Sequence, residues 1–197
     1  MEYKILNDGN KMPILGLGVF QVDPKETQRC VEDAISVGYR SIGVSNFYAD
    51  RIVDLCENSG VILAVNQLEC HPFYQREALK RTLDGYDIAF ESWASFAEGQ
   101  NDIFKNAVLS GIGEKYGKSA AQVILRWLIQ RGIAVIPKNV KIERMRQDFD
   151  IFDFALSPED MAAIAALDTD RTLFFDHRDD DKVKWLINWA KENAPKS

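Results

Sequence analysis

The chain has 197 residues, 46% hydrophobic and 27% charged, with a net charge of −6 and a sequence pI of 5.0. That composition suits one soluble domain with a real core and excludes a disordered chain. The acidic balance excludes a global basic field, so neither nucleic acid nor an anionic membrane is expected as a partner. Cys30, Cys56 and Cys70 are widely spaced with no CxxC pair, and read as small buried thiols in a reducing compartment. No apolar run approaches the ~20 residues of a membrane span. The opening MEYKILNDGN has no apolar leader core, so a cytoplasmic protein is expected.

Residues 3–14 alternate around Asn7-Asp8-Gly9-Asn10, the signature of a hairpin with a tight turn. ILGLGVF (14–20) follows as a buried strand, and Pro24 opens an amphipathic helix that Gly38 stops near Val37. The alternation then repeats. Strands are expected at 41–45, 63–67, 87–93 and 133–138, and helices at 49–58, 75–83, 107–116, 119–131 and 143–147. Ser157-Pro158-Glu159-Asp160 starts a further helix, and a last amphipathic helix covers 182–191. Strands this apolar, each followed by a helix, indicate a parallel sheet buried on both faces. No low-complexity linker divides the chain, so a single domain over 1–197 is expected.

Three stretches carry a specific likeness: GVSNF (43–47), AVNQLECHPF (64–73) and GKSAAQVILRWLIQRGIAVIPKNVKIERM (117–145). They resemble the aldo-keto reductase family, and MPILGLGVFQ (12–21) and SPEDMAAIAALD (157–168) fit it as well. The resemblance implies an eight-stranded (β/α)8 barrel closed by an N-terminal hairpin, NADP(H) as cofactor, and carbonyl reduction by hydride from the nicotinamide. It also implies a catalytic tetrad of Asp, Tyr, Lys and His on the second to fourth strands. Here Gly38-Tyr39-Arg40 runs straight into Ser41-Ile42-Gly43-Val44-Ser45-Asn46-Phe47, which resembles the fifth strand. A seam near 40/41 therefore removes roughly three βα units, the whole tetrad among them. The expected fold is α/β, a truncated or incomplete (β/α) TIM-type barrel with an N-terminal β-hairpin and about five parallel strands.

The resemblance assigns cofactor roles to eight residues. Ser45, Asn46 and Gln67 match the side chains that bond the nicotinamide carboxamide, a task suited to groups offering donor and acceptor together. Trp93 lies where an aromatic stacks beneath the nicotinamide ring. Lys138, Asn139, Val140 and Arg144 match the segment that grips the 2′-phosphate of NADP. Asn139 departs from the usual Ser or Thr, and Asp148 stands where an adenine-contacting Asn is common. No catalytic residue and no metal ligand are assigned. Glu69 and His71, an E-x-H at a strand end, are expected to form structural hydrogen bonds.

Three functions stay open. One is an NADP(H)-binding relative crippled in carbonyl reduction. Another is an active reductase of small carbonyl substrates, with Tyr48 or Tyr74 as substitute acid or with the barrel completed by a second chain. The last is a non-enzymatic deletion product. An open sheet would leave strand edges that favour self-association.

Overall fold

Alternation and a polar turn make a hairpin of the first residues: β1 (Tyr3–Ile5) and β2 (Lys11–Pro13) pair antiparallel, with Lys4 opposite Met12. The computed structural model describes residues 3–5, 11–13, 29, 32–33, 36, 43–59, 62–139, 141–176 and 178–193. The expected strand at 14–20, most of the first expected helix, Cys30, Val140, His177 and the seam at 40/41 lie outside these residues. The chain divides into two compact units, Met1–Ile42 with Asp176–Ser197, and Gly43–Phe175.

The first unit holds the hairpin, helical positions at Arg29, Glu32, Asp33 and Ser36, and a C-terminal helix over Asp180–Asn193. Arg29 pairs with Asp33 at 2.7 Å across one helical turn.

The second unit is built on a four-stranded parallel sheet in the order β3 (Gly43–Ser45), β4 (Val65–Glu69), β5 (Ala89–Trp93) and β6 (Ala134–Val135). Four of the expected strands thus lie side by side and parallel. Gly43 permits a close approach, since a Cβ there would stand 2.5 Å from the Val65 side chain. β6 is shorter than the apolar run IAVIPK implies, because only Ala134 and Val135 find partners on β5, opposite Glu91 and Ser92.

Between the strands run α1 (Ala49–Ser59), α2 (Glu77–Gly85), α3 (Ala107–Tyr116) and α4 (Ala120–Gln130). After β6 come α5 (Ile142–Phe149) and α6 (Pro158–Ala165). Local chemistry sets the ends. The Asn106 side chain accepts from the Val108 and Leu109 N–H groups, and Gly117 closes α3 in the left-handed region at φ 66°. Ser119 with Gln122, and Ser157 with Asp160, form reciprocal capping boxes at α4 and α6. The expected start of α2 at Gln75 fails for a tertiary reason. The Gln75 side chain is buried and donates to the Pro72 and Ile164 carbonyls, while its backbone N–H goes to Asp168. Between β5 and α3, residues Ala97–Lys105 form tight turns instead of a continuous helix, with positive φ at Glu98, Gly99, Asn101 and Asp102.

The core lies between sheet and helices. Ile52, Leu68, Leu83, Ile103, Leu109, Ile124, Leu128 and Ile164 are fully buried. Burying each such side chain contributes roughly 1.5–3 kcal/mol. Asp160 is a charged group within this packing. Burial would raise the Asp160 carboxyl, but hydrogen bonds from Tyr116, Lys115 and Ser157 outweigh it and hold the pKa at about 2.

Candidate functional site

In a parallel sheet the strand ends gather at one edge, where loops supply the chemistry. The register places Ser45 opposite Gln67 and Gln67 opposite Glu91. Side chains in register share a face, so these three form a row, and Trp93, two residues beyond Glu91, continues it. Asn66, Leu68, Phe90 and Ser92 alternate to the other, buried face.

The row is tied together by hydrogen bonds. The Ser45 hydroxyl and the Asn46 backbone N–H both donate to the Gln67 carbonyl, at 3.0 and 2.9 Å. Asn46 takes a left-handed conformation, φ 58°, which Asn tolerates better than most residues. That turn presents its side chain to Trp93, whose indole N–H donates to Asn46 Oδ1 at 2.9 Å. The Gln67 Nε2 donates to Glu91 Oε1 at 2.5 Å. What remains open matters most. Among the described residues, Asn46 Nδ2 has no acceptor and Gln67 Oε1 has no donor. One free donor beside one free acceptor complements a primary carboxamide.

A second set lies where β4 ends, with Glu69 as its last residue, opposite Trp93 in the register, and His71 on the loop that follows. Glu69 and His71 are buried and bonded at 3.0 Å, Nε2 to Oε1. Glu69 also accepts from the Thr172 hydroxyl at 2.5 Å and the Leu173 N–H at 2.9 Å. His71 Nδ1 is buried without a hydrogen-bond partner among the described residues, and no metal-holding group of three or more such residues occurs among them. Tyr48, just past β3, and Tyr74 flank one guanidinium. Arg76 stands 5.1 Å from the Tyr48 ring centroid and 4.7 Å from that of Tyr74, and donates a short hydrogen bond to the Tyr74 hydroxyl. Burial pushes the Tyr74 pKa up, against the opposing effect of Arg76. Sequence reading singled out both tyrosines and missed Arg76, although it lies only two residues beyond Tyr74.

The 2′-phosphate segment follows β6. Lys138 and Arg144 are both exposed, and neither makes an ion pair among the described residues. The Asn139 side chain donates to Asp148, and Val140 lies outside the described residues. Burial pushes the Asp148 carboxyl up, opposed by the Asn139 bond and by Arg144. Ser45, Asn46, Gln67 and Trp93 therefore form one connected cluster, while Asn139 is bonded to Asp148 and Arg144 acts on Asp148 through its charge alone. Lys138 belongs to neither by direct bonding.

The whole arrangement is that of a known family. The profile described as "Aldo/keto reductase family" matches residues 18–169, and the chain belongs to that family. An aldo-keto reductase of Mycolicibacterium smegmatis is 44% identical over 139 residues, covering 71% of this chain and 50% of the relative. The glyoxal reductase of Bacillus subtilis is 42% identical over 147 residues, covering 74% and 52%. A crystal structure of a Bombyx mori aldo-keto reductase in complex with NADP superposes with a TM-score of 0.70 at 33% identity, covering 88% of this chain and 56% of that one. The structural neighbours are (β/α)8 barrels, and this chain's α/β fold with its parallel sheet is consistent with a truncated barrel. The chain spans about half the length of the curated relatives it matches. Among the described residues no helix is long and apolar enough to cross a membrane.

Proposed function

We propose that this chain is an NADP(H)-binding oxidoreductase relative in which carbonyl reduction is crippled. The observation that carries the binding half is the open donor and acceptor pair, Asn46 Nδ2 and Gln67 Oε1, beside the oriented indole of Trp93. A carboxamide would donate to Gln67 and accept from Asn46, with the nicotinamide ring against Trp93. The bound cofactor would supply the hydride. The 2′-phosphate would be held by Lys138 and Arg144, which make no close ion pair among the described residues, with Asn139 and Val140 completing the segment.

The catalytic half rests on inventory. The tetrad resemblance requires a His among its members, and the chain has two, His71 and His177. His71 is buried and bonded to Glu69. General acid help contributes roughly 10²–10⁴-fold, so its loss leaves cofactor binding without ordinary turnover. The test measures NADPH and NADH binding by titration, then NADPH oxidation with phenylglyoxal. Binding that favours NADPH, with turnover far below the usual ~1–10³ s⁻¹, is expected. Turnover within that range sinks the crippled reading, and no saturable binding sinks the cofactor reading.

One observation favours a second reading, an active reductase. With the Arg76 guanidinium donating to its oxygen, the Tyr74 hydroxyl keeps its own proton to give, and burial holds that proton on. Tyr74→Phe would abolish turnover in that case.

A further inference from the structure

The loop that closes the second unit lies against the proposed nicotinamide platform. Phe175 stands nearly parallel to Trp93, with ring centroids 6.1 Å apart and planes at 25°. Phe174 lies closer, at 5.2 Å, tilted by 55°. Both rings are half-buried, and both follow a latch. The latch is Glu69, at the end of β4, one position across the sheet from Trp93 in the register. Its Oε2 accepts a hydrogen bond from the Thr172 hydroxyl at 2.5 Å and its Oε1 one from the Leu173 N–H at 2.9 Å. The Thr172 hydroxyl oxygen in turn accepts from the Phe174 N–H at 3.1 Å, which sets the direction in which the two phenylalanines leave the latch. Further back, Thr169 is bonded through N–H and hydroxyl to the Phe73 carbonyl, at 2.9 and 2.8 Å. The strap is thus fixed at both ends of its approach, and its aromatic tip rests on the indole.

An indole stacks on one flat partner per face, and a second ring on the same face must displace the first. We infer that Phe174 and Phe175, latched through Thr172 and Leu173 to Glu69, occupy the place of the nicotinamide ring on Trp93 and lower the affinity of this chain for its cofactor. The inference rests on the NADP(H) reading above and adds to it a set of residues that tune affinity from outside the binding row. Glu69 acts here as a positioning residue, through the strap. The effect is confined to the nicotinamide end, so it is the same for NADPH and NADH and absent for a ligand lacking that ring.

The test titrates the full chain with NADPH and with adenosine 2′,5′-bisphosphate, which carries the phosphate end alone. Three forms are compared: the wild type, Phe175→Ala, which removes the stacked ring, and Thr172→Val, which removes the latch hydroxyl at nearly constant volume. NADPH is expected to bind about three- to tenfold more tightly to both variants, the size of one aromatic pair, while the bisphosphate binds all three alike. Unchanged or weaker NADPH binding to the variants, with the bisphosphate still bound, overturns the strap and makes the phenylalanines a floor beneath the indole. Failure of every form to bind either ligand overturns the cofactor reading itself, and the strap with it. NADPH tightening without bisphosphate binding upholds the strap and removes Lys138 and Arg144 from the assignment.

Discussion

The two halves of the candidate site are prepared in opposite ways. At the ends of β3, β4 and β5, Ser45, Asn46, Gln67, Glu91 and Trp93 are bonded to one another before any ligand arrives. After β6, Lys138 and Arg144 are exposed cations with no ion pair among the described residues. The first half is pre-organised, so little side-chain entropy is lost on binding, and its specificity lies in geometry. The second half holds charge in reserve, and its contribution is electrostatic, with the sensitivity to salt that exposed charges have. A ligand with a carboxamide at one end and an extra phosphate at the other would read both.

The sharpest way to break this comparison is Arg144→Ala. It should weaken NADPH by roughly 1–3 kcal/mol, the worth of charge-assisted bonds, and leave NADH nearly unchanged in parallel titrations. An equal loss for both cofactors would place Arg144 elsewhere than on the 2′-phosphate. Next in size is Asn46→Gly, which keeps the left-handed turn at φ 58° but removes the amide that holds Trp93. A loss of about 1 kcal/mol is expected, the same for both cofactors, since neither donor nor acceptor there senses the phosphate. A loss confined to NADPH would merge the two halves into one.

Ionic strength offers a finer cut. Raising salt until the Debye length falls from about 10 Å to about 3 Å should weaken NADPH more than NADH, and Arg144→Ala should reduce the difference to what Lys138 alone supplies. The smallest effect concerns Asp148. Its carboxyl is pushed up by burial, so it binds protons more readily folded than unfolded. Its contribution to stability is therefore unfavourable at neutral pH and is relieved as pH falls toward the raised folded value. The same protonation removes a negative charge beside the phosphate segment. Asp148→Asn, which keeps a partner for Asn139, should strengthen NADPH by roughly two- to fivefold near neutral pH. The gain should shrink as the solution is acidified. A gain that is independent of pH would show that charge at this position is irrelevant.

The comparison also separates what could be read in advance from what could not. The helices were legible where short-range chemistry fixes their ends. Ser119 and Gln122 are three residues apart, as are Ser157 and Asp160, so each capping box can be read in the chain itself. The phosphate segment was legible as composition, because Lys138 and Arg144 lie together on one loop and helix. Gln75 shows the opposite case. By local propensity it opens a helix, yet its side chain is bonded to the carbonyl of Ile164, 89 positions away, and α2 begins at Glu77 instead.

The sequence by itself determined the family, the alternation of strand and helix, the capped helices and the residue types at the strand ends. Each of these depends on neighbours within a few positions, or on motifs long enough to be distinctive. Only the tertiary structure decided how those residues meet. The parallel register sets Gln67 against Glu91 across 24 positions, and the turn at Asn46 brings its amide to Trp93 across 47. Glu69 reaches Thr172 across 103 positions and so brings two phenylalanines to the same indole. Contacts of that separation arise when the sheet assembles and its loops are drawn to one edge, and no local pattern in the chain encodes which partners will then be within a hydrogen bond of each other.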